Sequence, residues 1–192
     1  EYAPVVSRAL LGTNLSSRGL VWNDGSTVGY AFHDAIMKSH EVLYTSLLFF
    51  DAARSMSRLY NATGQSILGH QYHVKAEAVR SSLSAAFWNE SQGMFHAASA
   101  GGVEAGVIDI WGSCYACVLK VASAKQCARI STYLAGPGRD RVFFKGLVRQ
   151  IPRPGYWERK FQDQSNRPIG TIAYLTAIRW QIKHCVAESA GT

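Results

Sequence analysis

Thirteen carboxylates are available for acid–base chemistry in this chain, and their neighbours sort them. Glu1, Glu77, Glu90, Glu104 and Glu188 fall on polar helix faces or in loops and are expected to be solvated. Asp51 lies mid-helix, Asp140 sits in a basic turn that suits an ion pair, and Asp24 and Asp163 occupy loops. Four others are better placed. Asp34 closes Tyr30-Ala-Phe-His-Asp34 just before a long apolar helix, and Glu41 opens that helix. Asp109 precedes Ile110-Trp111-Gly112-Ser113, and Glu158 ends Pro154-Gly-Tyr-Trp-Glu158. Asp34, Asp109 and Glu158, unlike Glu41, have an aromatic residue within two positions. Aromatic faces stack on the apolar faces of sugar rings. A carboxyl pressed against an aromatic loses hydration, so its pKa rises and it can donate a proton near neutral pH. A better-solvated carboxylate can then activate water or act as nucleophile. The same residues have plainer roles open to them: Asp109 as a helix cap, Glu158 as an ion-pair partner of Arg153, Arg159 or Lys160.

Helices must position these groups. Residues 1 to 29 carry Gly12, Gly19, Gly25, Gly29, Asn14 and Asn23 and read as loop with short extended pieces. From about Ser39 to Tyr60 apolar residues fall on two faces, which predicts a helix buried on two sides. From Ser66 to Trp88 a single stripe runs through Leu68, Tyr72, Ala76, Val79, Leu83 and Ala86, which predicts an outer helix beside that inner one. Asn89–Gly93 reads as a turn and Met94–Ala98 as a short extended piece. Asp109 is expected to cap a third helix reaching about Ser123, and a short fourth helix spans about Ala124 to Leu134. Val142–Phe144 and Leu147–Ile151 read as a small hairpin, stopped by Pro152 and Pro154. A last helix is expected from about Pro168 to Val186.

With 192 residues and 47% hydrophobic content, including 5 Trp, 9 Tyr and 8 Phe, the chain is rich enough to build a real core. No apolar run reaches the roughly 18 residues of a membrane span, so no membrane partner is expected. Cys114 and Cys117, at helical spacing in an apolar stretch, read as small core residues. A zinc pair would want further Cys or His at matching spacing, and none is there, so no metal site is expected. Three sequons, at Asn14, Asn61 and Asn89, favour a secreted route. The chain opens Glu1-Tyr2-Ala3-Pro4, which suits a mature, trimmed or partial start.

Three segments resemble the six-hairpin glycosidase superfamily. Tyr30 to Leu48 is similar to its Gly-Phe-x-Asp segment leading into a long helix. Ala86-Phe-Trp-Asn-Glu-Ser-Gln-Gly93-Met-Phe95 resembles its recurrent helix end, with a Trp, a polar turn, a Gly and an aromatic in a short strand. Asp109-Ile-Trp-Gly-Ser-Cys-Tyr-Ala116 is similar to Asp-x-Trp-Gly-Ser-x-x-Ala at the start of an inner helix. Gly146–Pro152 and Gly155–Glu158 follow at a suitable distance. The resemblance covers roughly residues 21 to 158. It implies an all-α fold, an α/α hairpin toroid with one or two short β-hairpins in its loops, and residues 1–192 forming one partial domain of it. It also implies glycosidic-bond hydrolysis by a pair of carboxyl groups, without metal or organic cofactor, on a carbohydrate substrate. Asp34 and Glu158 lie on the matching motifs as the acid/base pair. Trp22, Trp111, Tyr156 and Trp157 would stack on the sugar, Asp109 would bind a hydroxyl or cap its helix, and His33 would join the binding set.

Two departures stand out. Phe161-Gln-Asp-Gln-Ser-Asn-Arg-Pro168 replaces a closing segment that relatives write as Tyr-Gln-Asn-Gly plus an aromatic. A full toroid has about a dozen helices, which need more chain than this at the usual rise, and five are read here. A homo-oligomer, or the remainder of a longer chain, is expected to cover the faces left open. Three other functions fit parts of the pattern. A carbohydrate-binding relative without activity would keep the rings and lose the carboxyl pair. A sugar epimerase would move protons through His33, His40 or His96. A formal charge of +7, with basic residues among aromatics between Arg139 and Lys160, suits single-stranded nucleic acid, but no recognised nucleic-acid motif accompanies them and no such partner is expected.

Overall fold

The computed structural model describes residues 2–24, 38–102 and 104–154. They are mostly helical, with a few short antiparallel strand pairs. The centre is a helical hairpin. α2 (Leu43–Ala62) and α3 (Ser66–Phe87) are joined by a short turn and pack along their lengths. Tyr60 and Tyr72 stack at 5.6 Å near the turn. As its two apolar faces require, α2 is buried on both sides, with Leu43, Leu47, Phe50 and Ala53 fully enclosed. α3 buries the single stripe Tyr72, Ala76, Val79 and Leu83 and turns Ile67 and Val74 to solvent.

The opposite side of α2 takes α4 (Ile110–Val118). Gly112 lets the two helices approach closely: a Cβ there would come within 2.5 Å of Leu43 Cδ2. Contacts from Leu43 to Gly112, Asp51 to Tyr115 and Arg54 to Leu119 show that α2 and α4 run in the same direction. Two like-directed inner helices, with α3 outside, form a layered arrangement. α5 (Ala124–Ala135) lies beside α4 and the end of α3, started by a capping box between Ser123 and Gln126. The short α6 (Arg139–Val142) leads into the hairpin β5 (Phe143–Phe144) and β6 (Leu147–Val148). That hairpin falls where the sequence puts it.

Several elements differ from expectation. A helix, α1 (Ala3–Leu11), occupies the supposed loop at the start; Pro4 sits in its first turn, where a missing N–H costs nothing. Residues 39–42 do not join α2. β1 (Trp22–Asn23) pairs with β2 (His40–Glu41), and the N–H groups of the extended Val42 and of Leu43 donate to the Val21 and Ala97 carbonyls, so strand contacts replace a side-chain cap. α4 ends at Val118, short of the expected end near Ser123. Lys120 adopts a left-handed φ of 57° and the Val121 N–H reaches back to the Ala116 carbonyl at 2.9 Å, the helix-ending motif usually assigned to Gly. The 86–95 segment behaves as read: β3 (Trp88–Asn89) and β4 (Met94–Phe95) close a hairpin turned at Gly93. The helix expected from Pro168 lies outside the described residues.

Cys114 is a buried core thiol as expected, but Cys117 is not simply a core residue. It forms a disulfide with Cys127 that ties the end of α4 to α5. Among the described residues no cluster of His, Cys, Asp or Glu could hold a metal ion, and no helix is long and apolar enough to cross a membrane.

Candidate functional site

Charged side chains gather where α4 begins, against the segment that enters at Lys38 and the loop after β4. Asp109 starts α4. Its Oδ1 accepts the Gly112 N–H at 3.0 Å, so the capping role holds. The same oxygen accepts Gln150 Nε2 at 3.4 Å, while the Ile110 N–H donates to the Gln150 carbonyl at 2.8 Å. Asp109 is wholly buried, and its Oδ2 accepts no hydrogen bond among the described residues. Burial raises its pKa above the usual aspartate value. The charge of Lys38, the Gly112 N–H and the Gln150 amide oppose that rise.

Lys38 and Glu104 complete this cluster, and sequence reasoning found neither. Lys38 is 4% exposed. Burial pushes its pKa down to about 8, against the attraction of Asp109 and then Glu104. Its backbone is fixed by Asn23, whose buried Nδ2 donates to the Lys38 carbonyl at 2.6 Å. Glu104, expected in solvent, is buried, with a left-handed φ of 69° that turns it inward from its loop. Flanking glycines make 101–106 look like a surface loop, but Gly101 and Gly102 lie against Ser39 and His40. The Gly102 N–H bonds to the Ser99 carbonyl, and a Cβ on Gly102 would overlap the Ser39 backbone oxygen. The one signal available was a lone cation between Arg18 and Arg54, just ahead of a buried helix.

Trp22 is half-buried in β1, and its ring lies 4.8 Å from that of His40, tilted by 55°. This pair offers an aromatic surface beside the charged cluster. Trp111 is deeper. It is 5% exposed, and its indole N–H donates to the Val148 carbonyl at 3.3 Å, so it braces the β5–β6 hairpin against α4. Glu41 is buried in a two-pronged ion pair with Arg18, whose Nε donates to Oε1 at 2.9 Å. Burial pushes the Glu41 carboxyl up, but the bonds from Arg18, Ser16 and Ser99 and the Arg18 charge together hold it below the usual range. An acid so held is a structural anion. His96 bonds to Gln92 in the β3–β4 turn at 2.7 Å, and burial lowers its pKa; it shares no partner with His40 among the described residues.

Asp34 and His33 fall between residues 24 and 38, and Tyr156, Trp157 and Glu158 follow residue 154; all five lie outside the described residues. The structure therefore brings together Asp109, Lys38, Glu104, Gln150, Trp22 and His40.

No protein-family model matches the chain, and no curated protein does. Solved structures do. One is a GH78 family rhamnosidase of Bacillus sp. GL1, with a TM-score of 0.53 and 19% identity, covering 71% of this chain and 15% of the other. Another is a sialidase, with a TM-score of 0.61 and 14% identity, covering 80% of this chain and 14% of the other. At these identities the likeness is one of fold. The chain spans about one-seventh of the length of each.

Proposed function

We propose that this chain contributes part of an α/α toroid of glycoside-hydrolase type, in which Asp34 and Glu158 form the acid/base pair that cleaves a glycosidic bond. The observation that carries the proposal is the buried cluster around Asp109, together with the short stretches of chain that lead from it to both acids. Lys38 belongs to the cluster and lies four residues after Asp34. Four residues span at most about 14 Å of chain. Gln150 bonds to Asp109, and Glu158 follows it eight residues later. Along the chain, then, Asp34 and Glu158 lie four and eight residues from members of a cluster that holds a buried Asp beside an aromatic pair. Likeness of fold to segments of two carbohydrate-processing enzymes supports the same reading.

In this scheme one of the two acids protonates the leaving oxygen and the other activates water or attacks the anomeric carbon. Asp109, wholly buried, caps the inner helix that backs the site, Lys38 stabilises it as an anion, and Trp22, with Tyr156 and Trp157, lies against the ring. No metal or organic cofactor is needed for such chemistry. Because the chain spans so little of its structural neighbours, the remaining wall of the site comes from further chain or from a second copy.

The test is a panel of aryl glycosides and oligosaccharides offered to the wild-type protein, Asp34→Asn and Glu158→Gln. Turnover lost in both variants, with sugar binding retained, supports the proposal. Sugar binding without turnover in the wild type makes this a binding relative. Neither binding nor turnover rejects the carbohydrate assignment.

A further inference from the structure

The three sequons differ in what their side chains do. In Asn61-Ala-Thr63 the Asn carboxamide lies over Gly69, so close that a Cβ on that glycine would overlap Oδ1. The Thr63 hydroxyl donates to the Leu59 and Tyr60 carbonyls at 3.0 and 3.2 Å, closing the end of α2. In Asn14-Leu-Ser16 the Ser hydroxyl accepts the Arg18 N–H at 3.2 Å and bonds to the buried Glu41 carboxylate. Neither hydroxyl turns to its own asparagine.

Asn89-Glu-Ser91 is different. The Ser91 hydroxyl donates to Asn89 Oδ1 at 2.7 Å, and the Gln92 N–H donates to the same oxygen at 2.9 Å, both in the exposed β3–β4 turn. Two donors on the oxygen draw electron density from the amide and make Nδ2 easier to deprotonate. Nδ2 itself donates no hydrogen bond among the described residues. Both bonds to the Asn89 oxygen are made within the hairpin, residues 88 to 95, while Arg129 reaches the same turn from α5 through the Glu90 carboxylate and carbonyl. A second observation concerns compartment. The Cys117–Cys127 disulfide belongs to an oxidising environment, where oligosaccharide transfer to asparagine also takes place.

We infer that Asn89 carries an N-linked glycan and that Asn14 and Asn61 do not. The donor is a lipid-linked oligosaccharyl pyrophosphate. A bond forms from Asn89 Nδ2 to the anomeric carbon of the first sugar, and the bond from that carbon to the pyrophosphate oxygen breaks. The electron pair leaves with the lipid pyrophosphate, and Nδ2 loses one proton.

The test is peptide mapping of the protein isolated from its own source. It is digested under non-reducing conditions and treated with a glycan-releasing amidase in ¹⁸O water. The expected result is ¹⁸O-labelled Asp at position 89, unchanged Asn at 14 and 61, and one peptide pair linked through Cys117 and Cys127. Unlabelled Asn at position 89 overturns the inference, as does label at 14 or 61 with 89 bare. Free thiols at Cys117 and Cys127 overturn it too, because the shared compartment is then lost.

Discussion

Gln150 donates to Asp109 Oδ1 at 3.4 Å across 41 residues, while its own carbonyl accepts the Ile110 N–H. One residue thus holds both the cap of α4 and the segment that follows β6. This double hold gives the buried Asp its fixed direction. Asp109→Ala removes the cap and the Gln150 contact and should cost about 2 kcal/mol or more. Asp109→Asn keeps an acceptor oxygen at the cap and should cost less. Urea denaturation of the two variants at pH 7 checks the order.

Lys38 provides a pH signature. Its ammonium loses a proton near pH 8 when buried and near 10.5 when unfolded, so the folded state gives up the proton first. The unfolded chain then binds more protons than the folded one between those values, and stability rises with pH across that window. The stabilisation is complete above 10.5 and lost as pH falls through 8, with a total of roughly 3 kcal/mol. Tyr44, pushed up to about 12 by burial, acts oppositely, since its stabilisation is lost as pH rises from 10 to 12. Comparing wild type with Lys38→Met isolates the lysine: the difference in unfolding free energy between them should change from about pH 8 to 10.5 in wild type's favour.

How much of this was legible in sequence divides along physical lines. The inner and outer characters of α2 and α3 follow from two apolar faces against one, and Asp109 as a cap follows from its residue type and position. The β3–β4 turn followed from Asn89, Gly93 and the aromatics around them. What the sequence hid was set by distant contacts. His40 adopts a φ of 66° because it pairs with Asn23 and packs on Trp22, which no local pattern announces. Glu104 is buried because its loop folds onto Ser39, and Cys117 finds Cys127 only once α5 returns beside α4. Lys38, an isolated cation whose partners are 66 and 71 residues away in sequence, has no local signature beyond its isolation.

Gly102→Ala tests that loop directly. Its new methyl group would meet the Ser39 backbone oxygen, which cannot swing away like a flexible side chain. A loss of roughly 1–3 kcal/mol is expected. Gly106→Ala, with nothing within 4 Å of the added carbon, should change stability far less. Thermal unfolding of the pair distinguishes a packed loop from a loose one.

Replacing Cys117 and Cys127 together with Ser opens a short covalent loop. The double variant should lose about 2–4 kcal/mol. The same loss should follow reduction of the wild type, while Cys114, buried and outside the disulfide, stays unreactive until unfolding. Thiol labelling under native and denaturing conditions counts these groups.

The most direct measurement of the central claim is the rate of glycoside cleavage by the wild-type protein beside Asp34→Asn and Glu158→Gln, each checked by circular dichroism for native helix content. Each substitution is expected to lower turnover by roughly 10²–10⁴-fold while sugar still binds. Full wild-type turnover in either variant would contradict the assignment of the two acids as the cleaving pair.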